Sequence, residues 1–314
     1  MDNILYYNLV VICREMSLEY YLLHQVATLY CDQLIKRWSG YMEKNISVLM
    51  SVYKNDLPQN VRTAVESVIN QTLKPKQIVM IVDGPVPDEL KQLLLDLEKE
   101  YDIYENVWLA ENLGTGGALQ ENWKKCKYEY IAKMDSDDIS VPYRFEEEMD
   151  YLEAHPDIDV VGALGQEFYD EIENLAGLKM VPETHEEIAK YITSRSPFCH
   201  QSLIMKRSIL EKAGGYQPWY YAEDYYLFVR MLLAGAKFHN IPEVMVYLRI
   251  DKNTFGRRHG MKYYKSLRAL LKFMYKNKMM GFFKYTKEKI IRFVGHVLVP
   301  KRMKNGFYRK YLRG

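Results

Sequence analysis

The chain has 314 residues, 48% of them hydrophobic and 27% charged, which is the composition of an ordinary globular protein. It has no run of about 18 uncharged apolar residues and no signal-peptide pattern at its start, so we expect neither a membrane-spanning helix nor a secretory leader. Its four cysteines are scattered without a CxxC pair, which favours free thiols in a reducing cytoplasm over a disulfide framework or a zinc site.

Residues 1–41 form an apolar and aromatic segment that differs from the sequence after it. Met42 is followed almost at once by a predicted strand. We therefore expect residues 1–41 to be an N-terminal extension, with Met42 as the hypothetical natural start. The alternative is an N-terminal helix that packs on the main domain.

From residue 46 onward, apolar strands alternate with amphipathic helices. The predicted strands are 46–52, 78–82, 107–110 and 128–134, and the predicted helices are 59–70, 88–101 and 118–126. This alternation indicates an α/β fold with a parallel, doubly wound sheet. After residue 143, short strands at 160–162, 202–205 and 244–248 mix with helices. Ligands of such sheets bind beyond the carboxyl ends of the strands.

The strongest local signal is a cluster of carboxylates directly after the strand predicted at 128–134. Asp135, Asp137 and Asp138 lie within four residues. Like charges this close repel, so the cluster needs a cation or hydrogen-bond donors. Carboxylates at i and i+2 after a strand can bind Mg²⁺ or Mn²⁺ beside a diphosphate, which makes Asp135 and Asp137 candidate ligands. The alternative is a solvated acidic turn that caps the next helix.

Two further features follow strands at the same predicted edge. Asp83 could accept a hydrogen bond from a base N–H or a ribose hydroxyl, or could simply form a turn before Gly84. Asn112 opens a glycine-rich segment, 112–117, which lacks the lysine of a P-loop and the spacing of a dinucleotide fingerprint. Close approach of the backbone to a ligand and a flexible turn both explain this segment.

Glu223 and Asp224 open a helix predicted at 225–233, after an aromatic run that begins with Trp219. An acid at this place can simply serve the helix dipole. Asp224 can also be a general base, because inverting sugar transfer needs one carboxylate to take the proton of the acceptor hydroxyl. Trp219, Glu223 and His200 are acceptor-side candidates, although a lone histidine is more often structural.

Together, these motifs resemble those of family 2 glycosyltransferases, and among them the branch of amylovoran-type exopolysaccharide enzymes. The matching motifs are 46–53, Val82-Asp83-Gly84-Pro85, Asn112-Leu113-Gly114, Met134-Asp135-Ser136-Asp137-Asp138-Ile139-Ser140, Arg144-Phe145, Gly214-Gly215-Tyr216, Glu223-Asp224-Tyr225, Asn240-Ile241-Pro242-Glu243 and Arg257-Arg258-His259-Gly260. Their order and spacing are specific, and the resemblance covers residues 45–314.

The resemblance implies a GT-A fold, an inverting mechanism, a divalent cation (Mn²⁺ or Mg²⁺) and a nucleotide-sugar donor, often linked to UDP. It divides the chain into a catalytic domain at 42–255, with a nucleotide-binding half at 42–140 and an acceptor half at 141–255, and a tail at 256–314. Two departures leave the donor base and sugar open: the glycines at 116–117 followed by Gln120, and Ser196 before Pro197.

The resemblance also implies roles for single residues. Tyr53 and Asp83 would hold the uridine, and Asn112 and Lys133 would lie near the nucleotide. Asp135 would contact the ribose or the metal, Asp137 would bind the metal, and Asp224 would be the base. Arg249 and the Arg257-Arg258 pair would face phosphates, although arginines also serve the solvated surface.

The tail carries most of the basic charge, since residues 261–314 hold 16 Lys and Arg against one acid, Glu288. Apolar residues between 262 and 280 fall on one helical face with lysines at its flanks, and the pattern continues to 294. Such a helix can lie on an anionic membrane or pack its stripe on the domain. We expect a peripheral, cytoplasmic protein on the inner face of the cell membrane.

The leading hypothesis is a glycosyltransferase that extends a lipid-linked surface glycan, with no nucleic-acid partner. One alternative is a sugar-1-phosphate nucleotidyltransferase. Such an enzyme would require a glycine-rich loop with a basic residue directly after the first strand, and residues 51–54 have no such loop. The other is a non-enzymatic membrane- or nucleic-acid-binding module, which leaves the carboxylates unexplained and predicts salt-dependent binding to nucleic acid.

Overall fold

A computed structural model describes residues 44–251 and 259–299 of the chain. By its internal contacts the chain divides into two units, one ending at Lys44 and one beginning at Asn45. The predicted extension 1–41 and the Arg257-Arg258 pair lie outside the described residues.

The first half of the second unit is a layer of parallel strands with helices between them. Its strands are β1 (Ile46–Val52), β2 (Gln77–Val82), β3 (Tyr104–Trp108) and β4 (Tyr130–Lys133), and its helices are α1 (Pro58–Ile69), α2 (Asp88–Glu100) and α3 (Gly114–Asn122). The strands pair in the order β3-β2-β1-β4, all parallel. Strands β1 and β2 are buried on both faces, which explains their continuous apolar sequence. The predicted parallel sheet and the bounds of β1 are confirmed.

Helix α3 begins four residues earlier than predicted, and the glycine-rich segment forms its first turn. Gly116, Ala118 and Leu119 are buried, so tertiary packing stabilises a helix in spite of the low helix propensity of glycine. Strand β3 likewise begins earlier than predicted, at Tyr104.

The second half of the unit extends the sheet with mostly antiparallel pairs. Its strands are β5 (Ile139–Ser140), β6 (Val160–Phe168), β7 (Leu175–Lys179), β8 (Ile204–Lys206) and β9 (Phe238–Arg249), and its helices are α4 (Arg144–Ala154), α5 (His185–Tyr191), α6 (Arg207–Lys212) and α7 (Glu223–Leu233). The nine strands follow the order β3-β2-β1-β4-β8-β6-β9-β5, and β7 pairs with β6. The short strands predicted at 160–162 and 244–248 belong to the longer β6 and β9. This mixed α/β sheet agrees with the predicted GT-A class.

Two basic helices follow, α8 (Gly260–Lys276) and α9 (Phe282–Phe293). The apolar stripe of α8 is buried in the same core as Leu227 and Phe228 of α7. The stripe of α9 is different, because Phe283 and Ile290 on the helix remain exposed. Leu298, just beyond the end of the helix, is exposed as well. None of the described helices is long and apolar enough to cross a membrane.

A buried arginine connects the two halves of the sheet. The Arg144 side chain is fully buried; its Nη2 donates to the carbonyl oxygens of Lys133 (3.1 Å) and Leu203 (3.2 Å), and its Nε donates to Glu148 Oε2 (3.1 Å). Lys133 ends β4 and Leu203 precedes β8, so Arg144 braces the backbone from which the carboxylate cluster projects.

Glu148→Ala should lower the free energy of unfolding by about 3–5 kcal/mol, because it leaves the buried guanidinium of Arg144 without its carboxylate partner. Urea denaturation measures this loss. Glu147→Ala, one residue earlier on the exposed side of α4, is the matched control and should change stability by no more than about 0.5 kcal/mol. Equal effects of the two substitutions would contradict the bracing role.

Candidate active site

Asp135 opens the acidic turn, residues 135–138, and both of its carboxylate oxygens are held. Oδ1 accepts a hydrogen bond from Lys133 Nζ at 2.5 Å, and Oδ2 accepts one from Gln201 Nε2 at 2.7 Å. Burial alone would raise the pKa of Asp135, but the Lys133 charge and these hydrogen bonds outweigh it and lower the pKa to about 2. Asp135 is therefore a fixed anion, about one third exposed (32%). The Lys133 side chain is fully buried, so any effect of Lys133 on a nucleotide would be exerted through Asp135.

Asp137 lies beside other carboxylates. Burial raises its pKa, and the negative charges of Asp135 and Asp56 raise it further, to about 7. Sequence reasoning missed Asp56, which lies in the loop after β1. Its Oδ2 accepts hydrogen bonds from Ser136 Oγ (2.9 Å) and from the Tyr53 backbone N–H (3.0 Å). Asp56 thus ties the loop that carries Tyr53 to the acidic turn.

Asp138 turns inward and has a structural partner. Its Oδ1 accepts a hydrogen bond from the Arg249 backbone N–H at 2.8 Å, and Arg249 Nε donates to the Asp137 carbonyl oxygen at 3.0 Å. The guanidinium of Arg249 also stacks on the ring of Phe168 at 4.6 Å. The end of β9 therefore braces the acidic turn, and Arg249 contacts that turn directly.

The predicted donor-side residues Asp83 and Asn112 are in contact. The Asp83 carboxylate accepts hydrogen bonds from the Leu113 backbone N–H (2.7 Å) and from Asn112 Nδ2 (2.9 Å). Gly84 allows this approach: its φ is +84°, and a Cβ there would lie 2.5 Å from the Asn112 nitrogen. Asp83 thus holds the segment that leads into α3, and its contact with a base or ribose stays a prediction.

The carboxyl ends of three neighbouring strands bring these groups together. Strand β1 pairs with β2 on one side and with β4 on the other, both parallel. Tyr53, Asp83 and Asp135 each follow one of these strands. Because adjacent strands lie about 4.8 Å apart, the three residues share one edge of the sheet, as predicted for Asp83 and Asp135.

Asp224 lies in the first turn of α7, where its Oδ1 accepts a hydrogen bond from the Tyr225 backbone N–H at 2.6 Å. The N-terminal end of a helix stabilises a carboxylate in its ionised form. The chain enters this helix through Tyr221, whose φ of +52° is rare for a residue with a side chain.

A buried histidine–tyrosine pair lies near both Asp224 and the acidic turn. His200 Nε2 is 2.9 Å from the Tyr216 hydroxyl. Burial lowers the pKa of His200 to about 4 with help from Lys133, while the charges of Asp224 and Asp135 oppose this shift. Burial also raises the pKa of Tyr216, and the same two aspartates add to that shift. Asp135 and Asp224 therefore lie near one buried pair, on which both act electrostatically.

His200, an acceptor-side candidate, is consequently a neutral core side chain. It packs edge-on against Phe228 of α7 with ring centroids 5.8 Å apart. Its buried position gives it a supporting role beneath the site. Its neighbour Gln201, which sequence reasoning missed, contacts Asp135 directly.

Helix α3 packs closely against the segment that carries Asp224. A Cβ on Gly116 would lie 2.9 Å from Glu223 Cβ and 3.2 Å from the Gln217 carbonyl oxygen. This glycine thus allows the Asp83-anchored segment and the start of α7 to meet. Of the other acceptor-side candidates, Glu223 is at this contact, and Trp219 is half-buried with its ring centroid 4.2 Å from that of Tyr226.

Comparison with known proteins identifies the family of the chain. Residues 47–214 match the model of the family described as Glycosyl transferase family 2. The amylovoran biosynthesis glycosyltransferase AmsE of Erwinia amylovora is 33% identical over 268 residues, covering 85% of this chain and 99% of the relative. The UDP-Gal:alpha-D-GlcNAc-diphosphoundecaprenol beta-1,3-galactosyltransferase of Escherichia coli is 33% identical over 217 residues, covering 69% of this chain and 78% of the relative.

The fold is also similar to a solved structure. Residues 1–349 of TarS of S. aureus, in complex with UDP-GlcNAc, superpose with a TM-score of 0.63. The match covers 85% of this chain and 76% of that one at 17% sequence identity, so it concerns the fold alone.

Gly84→Ala should lower the free energy of unfolding by about 2–4 kcal/mol, because the new Cβ adds a backbone clash at Asn112 to the strain of a positive φ. Gly114→Ala is the matched control: its φ is also positive, at +70°, but a Cβ there meets nothing within 4 Å. It should cost about 1 kcal/mol. Urea denaturation of both variants checks this, and similar losses would show that the Asn112 contact is unimportant.

Proposed function

The chain belongs to glycosyl transferase family 2 and is a glycosyltransferase that uses a nucleotide-sugar donor; from this premise we propose that it transfers a sugar, with inversion, from a UDP-linked donor to a hydroxyl of a lipid-linked surface glycan. The observation that carries the proposal is the close contact between α3 and the start of α7: Gly116 of α3 packs against Glu223, the residue before Asp224, and Asp83 holds the segment that leads into α3. This contact supports a site in which a carboxylate for proton transfer lies on the same side as the strand-end carboxylates.

Membership of this family decides against the two alternatives drawn from the sequence, the nucleotidyltransferase and the non-enzymatic binding module. The proposed donor and acceptor draw support from the relatives. The Escherichia coli relative is named for UDP-Gal and a diphosphoundecaprenol-linked acceptor, and the TarS structure contains UDP-GlcNAc. The AmsE relative is named for amylovoran biosynthesis.

The donor side of the proposed site consists of residues at the tips of β1, β2 and β4. We assign the nucleoside to Tyr53, Asp83 and Asn112, which lie on this edge. Asp135 is kept ionised by Lys133 and Gln201, so it can accept hydrogen bonds from a ribose at any physiological pH. Lys133 is then a positioning residue that fixes this carboxylate.

Enzymes of this family generally use a divalent cation, and the donor set at the acidic turn fits one. Asp137 has a pKa raised to about 7 by burial and by Asp135 and Asp56, so a cation would relieve this repulsion. Within the described ranges 44–251 and 259–299, no three His, Cys, Asp or Glu side chains are grouped to hold an ion by themselves. Mg²⁺ and similar ions are often bound by one or two carboxylates together with substrate phosphates and water.

We therefore assign Asp137, with Asp135 beside it, as the protein ligands of Mn²⁺ or Mg²⁺. When bound, the cation neutralises charge on the departing nucleoside diphosphate. The negative carboxylates repel free anions from the turn. We therefore expect a diphosphate to bind there only together with its cation.

On the acceptor side, Asp224 is the proposed base. It takes the proton of the acceptor hydroxyl as the hydroxyl oxygen attacks the anomeric carbon, and the bond from that carbon to the diphosphate breaks. Inversion follows because attack and departure occur on opposite faces of the sugar. The N-terminal end of α7 presents the partial positive charge of the helix dipole to the Asp224 carboxylate. Glu223 precedes Asp224 at the start of α7 and Trp219 lies in the aromatic run before this helix, so we propose both as contacts of the acceptor.

We also propose that α9 rests on the inner face of the cell membrane. Its outward side carries Phe283 (89% exposed), Ile290 (55% exposed) and Lys287, and Leu298 continues the same face. Exposed apolar groups among lysines are the pattern of a helix that lies in a lipid interface. The stripe of α8 is buried in the core, so α9 replaces it as the proposed membrane element.

Asp137→Ala should abolish transfer and the cation dependence of donor binding. Asp224→Asn should keep donor binding but slow turnover by about 10²–10⁴-fold, the usual contribution of a general base. The measurements are Mn²⁺-dependent release of free nucleotide from a panel of nucleotide sugars and calorimetric binding of UDP. Asp88→Asn, an acid in the first turn of α2, is the control for loss of a helix-start charge and should be fully active. Wild-type turnover in either site variant would refute its assigned role.

The double substitution Phe283→Glu and Ile290→Glu should weaken binding to phosphatidylglycerol-containing vesicles by about tenfold or more, because it removes two apolar side chains from the lipid interface. Co-sedimentation of the full chain with the vesicles measures this. Leu175→Glu, which changes an equally exposed leucine (56%) on β7, should have no effect. Unchanged sedimentation of the double variant would contradict the assignment of α9.

A further inference from the structure

We propose that the groove between α3 and the start of α7 is a separate sugar-binding subsite, which holds a residue of the acceptor glycan other than the one that receives the new sugar. The inference rests on the proposed function, because it presumes a glycan acceptor longer than one residue.

The groove has a volume of about 340 Å³, at the lower end of the range for small-molecule sites. It is lined by side chains of α3 and α7 and by the segment between Gly214 and Trp219, including Gln120, Glu121, Gln217 and Tyr226. None of the carboxylates of the acidic turn lines it, although Tyr216, which is hydrogen-bonded to His200 beneath the site, does. The groove therefore adjoins the site without including its acidic turn.

Its aromatic floor is fixed in place. The rings of Trp219 and Tyr226 pack at a tilt of 35° with centroids 4.2 Å apart, and Trp219 Nε1 donates a hydrogen bond to the Ser266 carbonyl oxygen at 3.3 Å. The guanidinium of Arg230 lies 4.6 Å from the centre of the Tyr226 ring, and Phe273 packs edge-on against the same ring. An aromatic surface that is ordered beforehand loses little conformational entropy when a ligand binds.

The polar lining complements this floor. The carboxamides of Gln120 and Gln217 can donate and accept hydrogen bonds, and Glu121 can accept them. A pyranose ring offers an apolar C–H face to an aromatic ring and hydroxyls to amides and carboxylates at its edge. The combination in the groove therefore matches a sugar residue.

Helical geometry separates the groove from the proposed base. Tyr226 lies two residues after Asp224, which places the two side chains about 200° apart around α7. Gly116 of α3 packs tightly against both the groove-lining segment and the start of α7, since a Cβ there would lie 3.2 Å from Pro218 Cα and 2.9 Å from Glu223 Cβ. A sugar in the groove is thus near the reaction site but cannot be the residue that Asp224 deprotonates.

The test uses the full chain with ¹⁵N-labelled tryptophan, which gives one indole signal for each of its four tryptophans. The probes are the methyl pyranosides of glucose, galactose, N-acetylglucosamine and glucuronic acid. At least one should shift the Trp219 signal saturably, with the signal assigned by Trp219→Phe. Gln217→Ala and Gln120→Ala should each weaken that binding roughly 2–10-fold, the loss of one hydrogen bond.

Gln59→Ala, at an exposed position of α1, is the control and should leave the affinity unchanged. Binding should persist in Asp137→Ala, because the groove does not use the acidic turn. The proposal is overturned if no pyranoside shifts the Trp219 signal, if both glutamine variants bind as wild type does, or if Asp137→Ala abolishes binding. Failure of the proposed function would appear separately, as absence of nucleotide release from every donor by the wild-type enzyme.

Discussion

The arrangement of the site depends on the buried partners that stabilise the negative charges of the acidic turn. Lys133 is fully buried at the end of β4, where an ammonium group needs a partner, and Asp135 is that partner at 2.5 Å. Gln201 holds the other oxygen of Asp135, and Arg249 holds the backbone of the turn. These contacts fix Asp135 as an anion and leave Asp137 facing the negative charges of Asp135 and Asp56. This repulsion is the physical basis of our proposal that the turn binds a cation and a diphosphate.

The same constraint organises the acceptor side. Gln201 follows His200, so the residue that orients Asp135 is next to the one that packs on Tyr216 and α7. Gly116 brings the Asp83-anchored helix α3 against Glu223, one residue before Asp224. The proposed donor and acceptor groups thus share a small set of buried contacts. Because these contacts are closely packed, a displacement on one side would also shift the other.

Much of the donor half could be predicted from the sequence. The continuous apolar run of β1 fixed its bounds, and the strand-end rule placed Asp83 and Asp135 at one edge, where Tyr53 also lies. Strand β7 and most of β9 were missed. β7 is largely exposed, and β9 contains Asn240, Pro242 and Glu243 and shifts register against β6, so neither shows an apolar run or a clean alternation.

The remaining site contacts needed the tertiary structure. Asp56 lies 80 residues from its partner Ser136, and Gln201 lies 66 residues from Asp135, so no local pattern joins either pair. The strand-end rule applied to the loop after β1 would have pointed to Asp56. Nothing local distinguished the α8 stripe, which is buried, from the α9 stripe, which is exposed, because both are basic and amphipathic.

The most direct test of the account is a crystal structure of the full chain with UDP and Mn²⁺, with the ion located by anomalous diffraction. We predict an ion bonded to the Asp137 carboxylate and to the diphosphate, with Asp224 facing the open side of that site. An ion and diphosphate bound away from the acidic turn, or Asp224 turned away from them into a separate cavity, would contradict it.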